Sequence, residues 1–302
     1  MEVKSPITGD NNIKCIKKIK VKDIVSRYKK NFNIDVNQYF KTVNEIFIYE
    51  DQATKYRFYY PFHIDGDGAF YEQLQKFSWY YMPWKWEHEK CLNLLTNESS
   101  ILEVGCASGE FLQKVVDIKK IEAVGLELNK KALKIGQEKG LDIRDQRVEV
   151  HAEEFSEHYE VVCSFQVLEH ISKVKSFVEA NLKCLKKGGK LVFCVPNNDS
   201  FTKYNWENDI LNMPPHHMGL WTRAAFEGLG KVFDLQLKDI HYEPLQPYHI
   251  DWYINIQEKR FLKGSFIKKL YYKTGLKNLM RFLIEKFSSY LHGHTIMAVY
   301  IK

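Results

Sequence analysis

Short apolar runs alternate with amphipathic segments between residues 100 and 196. The apolar runs lie at 101–105, 121–126, 147–151, 159–165 and 190–195. Between them, apolar residues recur at helical spacing in 110–118, 130–139 and 174–185. Strands that are separated by helices of this length form a parallel sheet with right-handed crossovers. This region therefore predicts five strands of an open α/β sheet, with residues 147–151 as the third strand.

Two further regions flank this alternation. Residues 1–84 are rich in aromatic side chains, and weak alternation at 45–49 and 55–60 predicts a pair of strands. We predict that they form an N-terminal extension or cap. Residues 85–302 predict the main domain, which continues after the fifth strand with a helix at 223–229, a strand at 233–242, a helical insertion at about 245–293 and a last strand at 295–301. The predicted fold is a Rossmann-like, doubly wound, seven-stranded and mostly parallel sheet.

Composition narrows the class of protein. The 302 residues are 45% apolar and carry a formal net charge of +6, a mild excess that does not identify a nucleic-acid binder. The longest apolar runs are far too short to span a bilayer, and residues 1–10 lack the basic-then-apolar pattern of a signal peptide. We therefore expect a cytoplasmic location. None of the six cysteines forms a C-x-x-C pair, which argues against a zinc site or a disulfide framework.

The turn after the first strand, Gly105-Cys-Ala-Ser-Gly109, predicts a nucleotide-binding loop. Glycines allow positive φ and close approach of a ligand to the backbone. The loop lacks the Lys-Ser/Thr of a P-loop, and Ala107 and Glu110 occupy two glycine positions of G-x-G-x-x-G. Because Glu110 would also repel a pyrophosphate, a ligand without phosphates suits the loop better. Glu127, 18 residues after Gly109, is placed to accept hydrogen bonds from both ribose hydroxyls.

Four motifs in this order resemble a known family. Residues 101–111 resemble motif I of the class I S-adenosylmethionine (SAM)-dependent methyltransferases, and residues 124–127 resemble their acidic strand-two motif. Residues 165–170, Phe-Gln-Val-Leu-Glu-His, resemble the post-strand-four motif of the branch that includes the ubiquinone-biosynthesis O-methyltransferases, and 185–197 resemble the same branch's turn into strand five. The resemblance covers roughly residues 85–240. It implies SAM as cofactor and S-adenosylhomocysteine as product.

The resemblance also implies which residues contact SAM at the ends of the strands. They are Glu103, which orients the loop or reaches the methionine ammonium; Gly105, Ala107 and Gly109, by their backbone; Glu127 at the ribose and Leu128 beside the adenine; Ala152 and Glu153 after the third strand, at the adenine amino group; and Phe165 and Gln166 at the methionine end.

The sequence departs from the family at three places. Ala107 replaces the usual middle glycine of motif I. In the ubiquinone enzymes an acidic residue, with the Glu-His pair, is a candidate metal ligand; Gln166 stands there in this chain, and we predict no metal site because Glu169 and His170 alone would bind weakly. Residues 1–84 resemble the start of bacterial glycan and small-molecule methyltransferases, some of which carry a zinc knuckle, but residues 5–9, Ser-Pro-Ile-Thr-Gly, lack its cysteines.

Three histidines are candidates for activating an acceptor. A hydroxyl acceptor needs a general base near pH 7, a role that suits histidine. His216 and His217 follow the fifth strand in the segment Met213-Pro-Pro-His-His-Met-Gly-Leu-Trp221, and His170 follows the fourth. We hypothesise His217 or His216 as the base, with His170 next; the alternative for each is a structural hydrogen bond.

Two more segments are candidates for contact with an acceptor. The aromatic run before the main domain predicts a pocket lining, with packing on the core as the alternative; its candidate residues are Tyr80, Tyr81, Trp84 and Trp86. The basic segment 263–286 predicts either a solvated cover helix, a peripheral membrane contact or a surface for an anionic sugar nucleotide.

The sequence leaves three functions open. The first is a methyltransferase for a hydroxyl of a small molecule or glycan. The second is a nucleic-acid methyltransferase, against which stand the modest charge and the lack of an Asn/Asp-Pro-Pro-Tyr/Phe motif after strand four. The third is a non-catalytic SAM-binding or nicotinamide-binding Rossmann protein.

Overall fold

The computed structural model describes residues 2–77, 80, 82–95, 100–262 and 264–302, apart from the side chains of 265–267. Its strands and helices in chain order are β1 (Ile13–Lys20), α1 (Val21–Phe32), β2 (Glu45–Asp51), β3 (Arg57–Tyr60), α2 (Gly68–Leu74), α3 (Trp86–Leu92), β4 (Ile101–Val104), α4 (Glu110–Lys119), β5 (Ala123–Leu126), α5 (Lys130–Glu138), β6 (Asp142–Arg144), α6 (Val148–Glu154), β7 (Tyr159–Phe165), α7 (Val174–Cys184), β8 (Leu185–Pro196), β9 (Gly219–Leu220), α8 (Arg223–Val232), β10 (Gln236–Pro244), α9 (Ile250–Phe261), α10 (Ser265–Lys273), α11 (Leu276–Lys286) and β11 (His292–Ile301).

The main sheet has seven strands in the order β10-β11-β8-β7-β4-β5-β6. The five strands β8, β7, β4, β5 and β6 are parallel, and β11 is antiparallel to both β8 and β10. The strand order reverses between β4 and β7, and ligands bind at such a switch point, outside the carboxyl ends of the strands. The predicted seven-stranded, mostly parallel Rossmann-like sheet is confirmed.

Both faces of the main sheet are buried. Neighbouring residues of a strand point to opposite faces, so Leu102 packs towards α7 and α8 whereas Ile101 packs towards α3 and α4. On β7, Val162 and Val161 likewise pack on opposite faces of the sheet. Because both faces are covered, the strands read as continuous apolar runs, which is why most of them could be located in the sequence.

The third strand is the exception, because the prediction of a strand at 147–151 is wrong. The strand is β6, only three residues long, and residues 148–154 form α6. Val148, His151 and Ala152 are buried at helical spacing, while Val150 is exposed. The alternation of apolar and polar residues at 147–151 is therefore coincidental, since one helical face accounts for the burial.

The N-terminal region forms a second, antiparallel sheet in the order β1-β2-β3-β9. The predicted pairing of the strands at 45–49 and 55–60 is confirmed by the register of β2 with β3. The fourth strand, β9, comes from the segment between β8 and β10, so this sheet joins the N-terminal region to a connection within the main domain. The division of the chain at residue 84 stays a prediction.

Residues 5–9 are held against the end of β2 by hydrogen bonds. The buried carboxylate of Asp51 accepts hydrogen bonds from the Ser5 hydroxyl, from the Thr8 hydroxyl at 3.1 Å, and from the backbone N–H groups of Ala53 and Thr54 at 2.8 and 3.2 Å. One carboxylate thus holds the turn at residues 5–9 against the turn that follows β2.

The segment between β10 and β11 contains the helices α9, α10 and α11, as the predicted insertion requires. Ile250, Ile254 and Ile256 of α9 pack with Phe201 and Leu245 in a small separate core. No helix in the described part of the chain is both long enough and apolar enough to cross a membrane.

Candidate active site

A cleft of about 1820 Å³ lies at the carboxyl ends of β4, β5, β7 and β8. Sites for single small ligands measure roughly 300–1,000 Å³. The cleft therefore has room for a cofactor and an acceptor together.

The loop after β4 has a tightly turned backbone. Gly105 and Gly109 have φ of 79° and 77°, and Ala107 has φ of 48°. A Cβ on Gly105 would lie 2.5 Å from Cγ2 of Val167, so this position needs glycine for both conformation and space. Ala107 adopts the left-handed conformation with a small side chain, which explains how alanine replaces the middle glycine of the motif.

Glu127 at the end of β5 is fixed by this loop. Its carboxylate accepts hydrogen bonds from the backbone N–H of Ala107 at 2.8 Å and of Asn129 at 2.6 Å. A carboxylate has about four acceptor positions, so two remain for hydroxyl groups of a ligand. Leu128 follows it on the cleft wall and is exposed.

Glu103 is a buried carboxyl at the floor of the cleft. It is 3% exposed, and its Oε2 atom has no hydrogen-bond partner within the described residues. Burial raises the pKa of Glu103 well above its usual range, and the carboxylates of Glu127 and Glu110 raise it further. A cationic group bound beside it would supply the missing partner.

The structure places the two residues predicted to bind the adenine amino group away from the cleft. Ala152 and Glu153 belong to α6: Ala152 is buried in the core, and Glu153 pairs with Lys183 at 2.8 Å. Neither borders the cleft among the residues that the structure describes, whereas Gln146 and Arg147, which follow β6, do. The error follows from the misplaced third strand, because moving the strand also moves the loop at its carboxyl end.

Phe165 and Gln166 border the cleft at the end of β7. The side-chain amide of Gln166 donates a hydrogen bond to Glu87 of α3 at 3.2 Å. Glu87 is 1% exposed and also borders the cleft. Sequence reasoning missed it, although its signal was an acidic residue at the start of the helix that enters the main domain.

The three candidate histidines form one cluster. The ring centroids of His170 lie 4.8 Å from His216 and 4.9 Å from His217, and those of His216 and His217 are 4.3 Å apart. One ring nitrogen from each lies within 4.8 Å of the others, a geometry suited to a metal ion. The sequence offered them as alternatives; tertiary structure brings them together across the carboxyl ends of β7 and β8.

Each histidine of this cluster is oriented by a hydrogen bond through Nδ1. The partner is the backbone oxygen of His216 for His170 (2.6 Å), the backbone oxygen of Leu211 for His216 (2.7 Å) and the side-chain oxygen of Asn212 for His217 (3.0 Å). Burial lowers the pKa of His170 to about 4. Burial, reinforced by the neighbouring histidines, lowers the pKa of His216 and of His217 well below the usual value. All three rings are therefore neutral at pH 7.

The predicted aromatic lining is only partly found in the cleft. Tyr80 borders it, and its hydroxyl lies 2.8 Å from Nε2 of His216. Trp84 and Trp86 pack on the core, where Trp84 stacks on Phe111 and Lys114 lies 3.6 Å from the Trp84 ring centroid. For these two residues the packing alternative holds, and neither borders the cleft in the described ranges. Tyr81 lies outside the described residues.

Comparison with known proteins places this site in a family. A family model described as a methyltransferase domain matches residues 79–240, more than half of the chain. The chain belongs to the SAM-dependent methyltransferase family. Ubiquinone biosynthesis O-methyltransferases from Proteus mirabilis and Erwinia tasmaniensis are 28% and 32% identical to it over 162 and 165 residues. Those alignments cover 48% of this chain in both cases, and 65% and 66% of the relatives, so the chain spans less than two thirds of their length.

A solved structure of a SAM-dependent methyltransferase from Archaeoglobus fulgidus has the same fold. It superimposes with a TM-score of 0.51 at 15% identity, over 72% of this chain and 91% of that protein. At this identity the likeness concerns the fold alone.

The cleft fits the cofactor of the methyltransferase family. SAM carries two positive groups and a ribose, and the loop offers the unpartnered carboxyl of Glu103 and the spare acceptor positions of Glu127. In this family the cofactor is SAM, and Glu103, the turn from Gly105 to Gly109, and Glu127 are the residues that would hold it.

Part of the cleft is lined by residues that no sequence motif indicated. Glu243, Tyr248, His249, Trp252 and His294 come from β10, β11 and the start of the insertion. Burial raises the pKa of Glu243 to about 7, although its carboxylate accepts hydrogen bonds from the backbone N–H groups of His294 and Thr295 at 3.2 and 3.1 Å. The strand order β10-β11-β8-β7 brings these residues to the same end of the sheet as the loop after β7.

Proposed function

We propose that this protein is an enzyme that transfers a methyl group from SAM to a hydroxyl group of a small-molecule or glycan acceptor. One observation carries the proposal: a cluster of three histidines, two of them buried and one partly buried, borders the same cleft as the cofactor loop. The O-methyltransferase names of the two bacterial relatives support it.

The chemistry requires a group that handles a proton. SAM supplies a methyl group on a positively charged sulfur. The sulfur–methyl bond breaks as the oxygen–methyl bond forms, and the hydroxyl proton must leave the oxygen. In the simplest form of the proposal His217 takes this proton: its Nδ1 donates to the Asn212 side chain, which leaves Nε2 with a free lone pair. The cleft walls align the acceptor, and alignment supplies much of the rate.

The charge of the cleft favours an acceptor that is neutral or cationic. Among the described residues, carboxyl side chains on the cleft wall far outnumber basic ones. The carboxyls are Asp65, Asp67, Glu87, Glu103, Glu110, Glu127, Glu149, Glu169, Asp209 and Glu243, and the basic side chains are Lys85, Arg147 and Lys173. A polyanion such as a nucleic acid, or an anionic sugar nucleotide, would be repelled. Hydroxyl-rich neutral acceptors suit these carboxylates, tyrosines and histidines as hydrogen-bond partners.

A second surface supports a membrane as a partner of this enzyme. Met280 and Ile284 on one side of α11 pack on the small core of the insertion. On the other sides of α11 and just after it, large apolar side chains are exposed: Leu276, Leu279, Phe282, Leu283, Phe287 and Tyr290. Lys268, Lys269 and Lys273 of α10 are exposed nearby in the sequence. Exposed apolar side chains combined with basic ones are typical of helices that lie in an anionic membrane surface. The cytoplasmic location stays a prediction.

A labelling assay tests the proposed reaction. Protein is incubated with SAM labelled in the methyl group and with extracts or hydroxyl-bearing acceptors, and the labelled product is identified. We expect Glu127→Gln to lose binding of S-adenosylhomocysteine. We expect His217→Ala to retain that binding while turnover falls about 100-fold or more, the usual contribution of a proton-transfer group.

Glu153→Gln is the matched control, because this exposed carboxylate on α6 lies away from the cleft. Normal turnover in His217→Ala, His216→Ala and His170→Ala alike would contradict the role of the cluster. Label found only on nitrogen or carbon would contradict the hydroxyl acceptor.

A further inference from the structure

The hydrogen bonds of the histidine cluster determine which ring nitrogen of each histidine carries the proton. A carbonyl oxygen can only accept a hydrogen bond, so the ring nitrogen facing it must carry the proton. Nδ1 faces a carbonyl oxygen in His170, His216 and His217 alike. In a neutral imidazole the other nitrogen is then unprotonated. All three residues therefore hold an Nε2 lone pair.

The second feature of the cluster is its position. A ring nitrogen of each histidine lies within 4.8 Å of the other two, and His216 and His217 are 6% exposed. Lone pairs brought together in such a partly or fully buried cluster repel one another and lose hydrogen bonds to water. The hydroxyl of Tyr80 hydrogen-bonds to Nε2 of His216 at 2.8 Å, and it can satisfy one nitrogen only.

From these observations we propose that His170, His216 and His217 together bind one divalent transition-metal ion, such as Zn²⁺, through their Nε2 atoms. Metal-binding histidines almost always donate their other ring N–H to a carbonyl or carboxylate, which fixes the tautomer and the direction of the ring. All three residues of the cluster already have this bond. Binding requires a shift of ring nitrogens by about 1 Å towards a common centre, and it requires the Tyr80 hydroxyl to turn away from His216.

The ligands select the class of metal. Imidazole nitrogen suits Zn²⁺, Co²⁺, Cu²⁺ and Fe²⁺, whereas Mg²⁺ and Ca²⁺ prefer oxygen ligands. Three protein ligands leave a coordination position open. The carboxyl of Glu169 lies beside the cluster, 3.8 Å from Nε2 of His170, and its buried Oε2 has no partner among the described residues. A bound cation would provide that partner.

This site deepens the proposed function and rests on it for its role. The open position borders the cleft, so an acceptor hydroxyl can coordinate there. Coordination makes a hydroxyl more acidic, and its proton then leaves to solvent water rather than to His217. Metal and proton compete for the same Nε2 lone pair, so a metal-loaded enzyme does not use His217 as its base.

Metal binding is measured without reference to turnover. The purified protein is stripped with a chelator, dialysed, and titrated with Co²⁺, and the visible absorption of the bound ion reports nitrogen coordination; Zn²⁺ is then added in competition. We expect one ion per chain, displaced by Zn²⁺. We expect His170→Ala, His216→Ala and His217→Ala each to weaken the affinity at least 10-fold, and His158→Ala, a partly exposed histidine outside the cleft, to leave it unchanged.

Circular dichroism and binding of S-adenosylhomocysteine establish that each variant is folded. Absence of a Co²⁺ band in the folded wild-type protein, or affinities that the three substitutions leave unchanged, would overturn the proposal. Label transfer to a hydroxyl in protein that binds no metal would leave the proposed function standing and remove the metal. A bound metal without any hydroxyl methylation would leave the metal site standing and contradict the proposed function.

Discussion

Glu103 illustrates how one residue prepares the site for a cation. The fold places its carboxyl among the carboxylates of Glu127 and Glu110 and away from water, and its pKa rises as a result. A positively charged ligand group nearby stabilises the ionised form and lowers that pKa again. Binding of the ligand is therefore coupled to loss of a proton from Glu103.

This coupling predicts the pH dependence of cofactor affinity. Between the lowered pKa of Glu103 in the complex and its raised pKa in the free protein, affinity for S-adenosylhomocysteine should rise with pH, by up to about tenfold per pH unit, and it should level off above the higher value. Glu103→Gln should flatten this dependence. Titration calorimetry in buffers of different ionisation enthalpy measures both the affinity and the released proton.

Burial also raises the pKa of Glu169, to about 8, so a second cleft carboxyl could release the proton. The slope of affinity against pH is therefore measured in Glu103→Gln, with Glu153→Gln as the control. The comparison shows whether the proton comes from Glu103 or from another group. A slope that survives in Glu103→Gln would assign the proton to another group and contradict the prediction.

At the scale of elements, the attachment of residues 5–9 to the end of β2 depends on one carboxylate. Asp51 is 1% exposed and joins Ser5 and Thr8 to the turn at Ala53 and Thr54. The contacts that hold this turn to β2 are hydrogen bonds to the Asp51 carboxylate. Its stability should therefore be insensitive to chelators.

Removal of this carboxylate should destabilise the protein. Asp51→Ala leaves the buried hydroxyl of Ser5 and the buried N–H group of Thr54 without an acceptor, and each such group costs roughly 1–3 kcal/mol, so we expect a loss of about 3 kcal/mol in the free energy of unfolding. Asp51→Asn keeps an acceptor oxygen and should lose less. Urea denaturation followed by circular dichroism measures these differences; Asp10→Ala, at an exposed position of the same turn, is the control. Equal stabilities of the Asp51→Ala and Asp10→Ala proteins would show that the network contributes nothing.

At the scale of the whole molecule, the cleft and the apolar surface of α11 are separate features of one chain. Phe282 and Tyr290 are 58% and 82% exposed. If the acceptor is lipid-linked, a membrane contact through α10 and α11 would bring the enzyme to its substrate, and the neutral or cationic preference of the cleft would apply to the part of the acceptor that enters it.

This surface predicts binding to anionic vesicles. In a sedimentation assay we expect binding to vesicles that contain phosphatidylserine, weak binding to phosphatidylcholine alone, and loss of binding at high salt. Replacement of Lys268, Lys269 and Lys273 by glutamine should weaken binding about 100-fold, because each basic residue near the surface contributes about 1 kcal/mol.

Substitution of Phe282 and Leu283 by serine tests the apolar part of the contact, and serine at Ile118 and Val150 is the control, since these exposed residues lie on α4 and α6. Equal vesicle binding by the two double variants would mean that α11 does not enter the membrane.

The sequence by itself determined the features that depend on neighbouring residues. It located four of the five parallel strands, the loop at 105–109 and the acidic residue at 127, because buried parallel strands are continuous apolar runs and a tight turn needs its glycines within a few positions. It misplaced the third strand, because three residues are too few to show a period and the buried face of α6 imitates alternation.

Tertiary structure alone decided the contents of the cleft beyond the cofactor loop. His170 lies 46 positions before His216, and Glu243 and His294 come from strands that flank an insertion. Their distances follow from the order of the strands in the sheet, which brings the ends of β7, β8, β10 and β11 together. Since no local pattern encodes that order, the sequence could name three histidines as separate candidates but could not show that they form one cluster.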